Sequence, residues 1–178
     1  PLPEGFDLTS HVFIGPGTRD LLPEVAARFV GTGAVAVADE ATWAAAGPPV
    51  HLGTARYLLP VDAHADDATV DRVREALGSA QGLIAVGSGT VNDLCKRACA
   101  AADRPYVVLG TAASMNGYAS GIAAILSRGV KTTVPSAPPR AIVLDTRVLA
   151  AAPSELAQAG LGDLLSKPVS DSDWWLGS

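Results

Sequence analysis

Gly82-Leu83-Ile84-Ala85-Val86-Gly87-Ser88-Gly89-Thr90-Val91-Asn92-Asp93 is the stretch on which the reading of the fold turns. The run from Gly82 to Val86 is apolar without alternation, as in a strand covered on both faces. A turn of small residues follows, and then Leu94, Cys95, Ala98 and Ala102 recur at helical spacing. A buried strand feeding straight into a helix is the repeating unit of a parallel sheet.

The same unit recurs outward in both directions. Before it, His11 to Ile14 reads as a strand broken at Gly15-Pro16-Gly17, with Thr18 placed to cap a helix carrying Leu21, Leu22, Val25, Ala26 and Phe29. Ala34 to Ala38 is a second buried strand that stops at Asp39, and the helix Glu40 to Ala46 ends at Gly47-Pro48-Pro49. Arg56 to Leu59 is a third strand, and Asp66-Asp67-Ala68-Thr69 opens a helix that Gly78 stops. After it, Tyr106 to Leu109 is a strand. Ile122 to Leu126 and Val130 to Val134 flank Ser127-Arg128-Gly129 as a β-hairpin, and Ala141 to Leu144 is one more buried strand, ending at Asp145. The expected fold class is therefore α/β, a Rossmann-like, mostly parallel sheet with helices on both faces.

Beyond Ser154 the chain is helical in character and ends on Trp174-Trp175-Leu176. The expected division is 1–152 as the sheet domain and 153–178 as a helical segment that either docks on the sheet or is the first piece of a further unit.

With 178 residues the chain has room for one domain of ordinary size. Its 48% apolar and 17% charged residues exclude global disorder. The 13 Lys and Arg stand against 18 Asp and Glu, with no basic run longer than two, so nucleic-acid binding has no electrostatic support. The longest uncharged stretch, Pro105 to Ser127, is broken by Gly110, Gly117 and Gly121 and carries polar residues, so no membrane partner is expected. No basic region followed by an apolar block opens the chain, and Cys95 and Cys99 lie four apart in a helical stretch rather than in a disulfide framework. A cytoplasmic location is expected.

Two loops carry the chemistry. Glycines at Gly87-Ser88-Gly89-Thr90 let a phosphate approach the backbone, and the free amides and dipole of the helix start favour an anion. The third glycine of the usual dinucleotide fingerprint is missing, and Asp39, the acid placed to hold a ribose, precedes the turn instead of following it. The second loop, Thr111 to Ser120, also follows directly on a buried strand. Two such loops at strand C-terminal ends converge on one crevice. Of the histidines His11, His51 and His64, none stands at helical ligand spacing from another or from Asp163. His64-Ala65-Asp66-Asp67 reads as helix capping, Cys95 and Cys99 as core packing, and Asp171 and Asp173 as solvated charge. On spacing alone, Asp163 and Lys167 are a surface pair.

The ordered succession GSGTVND, TAASMNGYAS, GVKTT with an Ala-Pro turn, GLGDLLSK and DWWL resembles the sn-glycerol-1-phosphate dehydrogenases, within the superfamily of dehydroquinate synthases and iron-containing alcohol dehydrogenases. The resemblance implies an N-terminal NAD(P)-binding domain followed, in family members, by an all-α domain, whose first segment here is 153–178. It implies a hydride transfer between nicotinamide and the central carbon of dihydroxyacetone phosphate, assisted by a divalent zinc, nickel or iron ion.

Carried over, Gly89, Thr90, Val91, Asn92 and Asp93 lie against the pyrophosphate, and Gly87 and Ser88 shape the turn. Thr111, Ala112, Ala113, Ser114 and Ser120 line the nicotinamide side. Asp39 holds the adenosine ribose, which tilts the choice between NAD and NADP toward NAD. Asp163 matches a catalytic metal-ligand aspartate that also touches substrate.

Asn116 stands where the family has a substrate-binding aspartate, and Pro168 is expected to end or kink the helix after Asp163. A small phosphorylated substrate and a homo-oligomer are implied, and this chain alone is expected to be inactive. The alternatives are a dehydroquinate synthase-like cyclase and a non-catalytic nucleotide-binding module.

Overall fold

The computed structural model describes residues 11–47 and 55–177. His51 and the Pro48-Pro49 end of the second helix lie outside the described residues. Six strands, β1 (His11–Gly15), β2 (Val35–Ala38), β3 (Ala55–Leu58), β4 (Leu83–Gly87), β5 (Tyr106–Gly110) and β8 (Ala141–Asp145), form one sheet in the order β1-β8-β5-β4-β2-β3. Every pairing in it is parallel. β6 (Ile122–Ser127) and β7 (Val130–Pro135) make the separate antiparallel hairpin expected around Arg128. Arg128 takes a left-handed φ of 50° at its tip.

Alternation within the buried strands divides the core into two. Ala36, Ala38, Ile84, Val86, Val107, Leu109, Ala141 and Val143 point to α1 (Leu22–Phe29) and α2 (Glu40–Ala46). Val35, Val37, Leu83, Ala85, Val108 and Ile142 point to α3 (Asp67–Leu77), α4 (Gly89–Ala102) and the hairpin. Cys95 and Cys99 pack in that second layer, where burial pushes both thiols upward, Cys99 to about 12. Helices thus cover both faces, as continuous apolar strands require.

Thr18 does not cap α1. It lies in a 3₁₀ turn, Thr18–Leu21, that precedes the helix and starts from Gly17 at φ 81°, and its hydroxyl donates to Gly15 O. Asp145 supplies the acceptors instead. Its carboxylate, wholly excluded from solvent, accepts from Gly17 N–H at 3.1 Å and Arg19 N–H at 3.3 Å, and caps α5 (Thr146–Ala151) through Arg147 N–H at 2.9 Å.

α6 (Ser154–Gly177) runs through Pro168 rather than ending there. Proline removes one backbone bond, the one to the carbonyl of Leu164, and Leu164 is exposed to water that can replace it. α6 buries none of its residues and leaves Leu161, Leu164, Leu165, Val169, Trp174, Trp175 and Leu176 exposed.

Candidate functional site

In the sheet, β3 lies outside β2 while β5 and β8 lie beyond β4, so the strand order reverses between β2 and β4. A crevice opens at the C-terminal ends of the strands at such a point, where open α/β sheets take their ligands. The register puts Val37 opposite Ala85 and Gly87 opposite Gly110. Asp39, the Gly87–Gly89 turn and the loop that starts at Thr111 therefore leave three adjacent strands on the same edge.

The start of α4 differs from its neighbours. Asp39 caps α2 by accepting Thr42 N–H at 2.7 Å, Asp66 caps α3 by accepting Thr69 N–H at 2.7 Å, and Asp145 caps α5. At α4 the capping position is Ser88, and its hydroxyl makes no capping hydrogen bond. Asn92 N–H reaches Ser88 O at 2.9 Å, and helix geometry leaves the amides of Gly89, Thr90 and Val91 with no carbonyl a turn below.

The two glycines of the turn do different jobs. A Cβ on Gly87 would stand 2.6 Å from Val91 Cβ, so Gly87 lets helix and strand pack. A Cβ on Gly89 would meet nothing nearer than Met115 Cγ at 3.8 Å, so Gly89 keeps a space the protein does not fill.

That space opens into a cavity of about 570 Å³ between α4, the loop 115–120 and the hairpin. Of the residues singled out in the sequence, Gly89, Thr90, Asp93, Asn116 and Ser120 line it, together with His64, Lys131 and the hairpin side chains Ile122 and Leu126. The others do not line it. Val91 and Asn92 are buried beneath the turn, with Tyr106 donating to Asn92 Oδ1 at 3.2 Å. Thr111 and Ala112 are buried, and Ala113 lies against α6, where a methyl on Gly160 would collide with its carbonyl. Asp39 has one oxygen engaged in its helix cap.

Asp93 turns toward the hairpin, accepting Ala124 N–H at 3.2 Å and standing 3.7 Å from Lys96. Burial raises its carboxyl above the usual range against the opposing pull of Lys96 and the Ala124 amide.

Two residues that shape this cavity escape a reading of the sequence. The Tyr118 hydroxyl lies 2.8 Å from Ala112 O and 3.3 Å from Gly87 O, with its single proton shared between the two loops, and burial pushes its phenol up to about 12. Lys96 is wholly buried beneath the loop. Its signal in the sequence is a charge set, with Arg97 beside it, among Leu94, Cys95, Ala98 and Cys99.

Asp163 comes to the cavity loop from α6. One oxygen accepts Asn116 N–H at 2.9 Å and the other lies 3.5 Å from Lys167 Nζ, so the residue is both a loop contact and the helical ion pair its spacing implied.

The family model for iron-containing alcohol dehydrogenase matches residues 13–153. The chain belongs to this family. Within it, the chain is 28% identical over 176 residues to the glycerol-1-phosphate dehydrogenase [NAD(P)+] of Thermococcus sibiricus, a match covering 96% of this chain and 50% of the relative. The enzyme of the same name from Geobacillus thermodenitrificans is 34% identical over 152 residues, 79% of this chain and 38% of the relative. A probable glycerol dehydrogenase from Sinorhizobium meliloti superposes with a TM-score of 0.81 at 25% identity, over 91% of this chain and 46% of that one. The chain spans about half the length of the curated relatives it matches.

The residues fit one of the two groups that the iron-containing alcohol dehydrogenase family implies. Uncapped amides and the unfilled space at Gly89 suit a dinucleotide pyrophosphate. A metal ion needs about three protein donors. Among the described residues no three of His, Cys, Asp and Glu converge to hold one.

Proposed function

We propose that this chain binds a nicotinamide dinucleotide, with its pyrophosphate on the amides of Gly89 to Val91 and its nicotinamide end in the cavity between α4 and the hairpin. It serves an NAD(P)-linked dehydrogenation of glycerol 1-phosphate, the activity that the names of its relatives carry, whose reverse, as the motif resemblance implies, is the reduction of dihydroxyacetone phosphate. The observation that carries the reading is the uncapped start of α4 at the point where the strand order reverses, beside three helix starts that aspartates close. When bound, the nicotinamide supplies the hydride.

The chain's own residues bind and orient. Asp39 stands on the neighbouring strand, where its second carboxylate oxygen can accept from a ribose hydroxyl and opposes a 2′-phosphate, favouring NAD over NADP. Thr90 and Asn116 face the cavity as neutral donors and acceptors. Asp163 is held against Asn116 and anchors α6 to the loop beside the cavity.

Titration calorimetry with NADH and with NADPH tests the reading. Saturable binding of NADH, tighter than that of NADPH and weakened by about tenfold or more in Gly89→Val, is the expected result. No binding of either dinucleotide to the folded protein would overturn it.

A further inference from the structure

Lys96 is a charged side chain with no exposure, one turn after Asp93 on α4 and on the face turned toward the loop. Its ammonium has three acceptors: Gly117 O, Ser120 Oγ and Ile122 O, each at 2.9 Å. Three donors meet three acceptors, so the group is saturated. The acceptors mark the start, middle and end of the segment 117–122, the part of the loop that borders the cavity.

Ser120 completes the arrangement. Its hydroxyl lies 2.9 Å from Gly117 O and 3.0 Å from Ile122 O, so its single proton goes to one of them while its oxygen accepts from Lys96. Asp93 balances the charge from 3.7 Å and reaches the hairpin through Ala124 N–H. Burial draws the ammonium below the usual lysine range, and the carboxylate of Asp93 opposes that shift.

A buried ammonium is costly unless it is paired and hydrogen-bonded. An apolar residue of similar length would fill the same volume on this face of α4 without that cost. What the charge adds is direction, because it fixes three oxygens of a segment that has only a three-residue 3₁₀ turn, Gly117–Ala119, of its own.

We infer that Lys96 is a positioning residue that sets the wall of the nicotinamide end of the cavity by gripping residues 117–122 from beneath. The inference rests on the dinucleotide reading above for the identity of the ligand, and on geometry alone for the grip. Asp93 and Lys96 fasten α4 to the hairpin and to the loop respectively. The amides that would hold the pyrophosphate lie one to two turns earlier on the same helix and do not depend on either contact. Loss of Lys96 thus separates the two ends of the ligand: the phosphate end keeps its cradle and the nicotinamide end loses its wall.

The experiment compares NADH with ADP-ribose, which carries the same pyrophosphate and lacks the nicotinamide, on the wild type and on Lys96→Met, alongside amide hydrogen exchange. Expected are a rise of at least tenfold in the Kd for NADH, a change below twofold for ADP-ribose, and faster exchange confined to residues 117–126. Equal shifts for both ligands, no shift for either, or unchanged exchange in 117–126 would overturn the inference.

Should the wild type bind neither ligand, the dinucleotide reading fails and the exchange measurement alone decides on the grip. If Lys96→Met does not fold, Ser120→Ala removes one of the three acceptors without stranding a charge. It should then show the same asymmetry at smaller size, and symmetrical effects would overturn the inference equally.

Discussion

Three strands of the sheet pass directly into a helix through one capping residue, at Asp145 before α5, Ser88 before α4 and Asp39 before α2, and the junctions at Asp145 and Ser88 are finished in opposite ways. At the first, one buried carboxylate accepts three backbone amides, two of them from the 3₁₀ turn after β1. At the second, the side chain caps nothing, and the amides point into a crevice beside a space that no atom fills. The same local physics, orphan amides at a helix start, is used for stability in one place and, on the proposed reading, kept for a ligand in the other.

The largest effect should come from opening the closed junction. Asp145→Ala strands three partly buried amides and is expected to cost about 3 kcal/mol of stability, read from urea unfolding, with dinucleotide affinity of the folded protein unchanged. A midpoint equal to that of the wild type would show that water or a neighbour can replace the carboxylate.

The acid dependence has a defined sign. Burial by itself raises the Asp145 carboxyl, but the amides of Arg147, Gly17 and Arg19 together with the Arg19 guanidinium outweigh it and hold the group below its ordinary value. The stability it contributes is complete above the unfolded carboxyl's value of about 3.9 and is lost as pH falls through the lower folded value. In Asp145→Asn the slope of stability against pH in that acid range should shrink, and an unchanged slope would assign acid unfolding to other carboxylates.

Closing the open junction should do the reverse. Gly89→Val places methyl groups in the empty space and is expected to weaken NADH binding by about tenfold or more, a loss of about 1.4 kcal/mol, while leaving the urea midpoint in place. Gly87→Ala, whose Cβ meets Val91, should lower the midpoint first. Equal behaviour of the two glycine variants would erase the distinction drawn between them.

Asp39→Asn keeps an oxygen for the Thr42 amide and removes only the charge, so the ratio of NADP to NAD affinity should rise severalfold with little change in stability. The smallest effect lies far from both junctions. Arg128→Asn puts a residue tolerant of positive φ before Gly129 at the hairpin tip and should add about 0.5 kcal/mol, with no effect on ligand or acid slope.

How far the sequence reveals each junction follows from where the partners lie. The β4–α4 turn is legible because an apolar run, small residues and a helical period stand next to one another. Asp145 looks like the mere end of a strand, since two of its three donors are 126 and 128 residues away. For the same reason Thr18 is misread as a cap: its local pattern is right, but a 3₁₀ turn and a distant carboxylate take over. Lys96 is visible only as an irregularity in an apolar face, because its acceptors belong to a loop 21 to 26 residues later. Asp163 sits beside Asn116 through a bond across 47 residues, which the motif order suggests and spacing within a helix does not. Pro168 is a case where a strong local rule gives way, as an exposed helix can lend its freed carbonyl to water.

If the open start of α4 takes the proposed dinucleotide, folding and cofactor supply become one equilibrium. A ligand that satisfies those amides binds the native chain and not the unfolded one, so it adds RT ln(1 + [L]/Kd) to the unfolding free energy, about 2.7 kcal/mol at a hundredfold excess over Kd. The melting temperature then becomes a function of dinucleotide concentration. On the proposed reading, a chain deprived of dinucleotide is the same molecule with one helix start uncorked, and the fraction of it that stays folded would track the pool of the coenzyme.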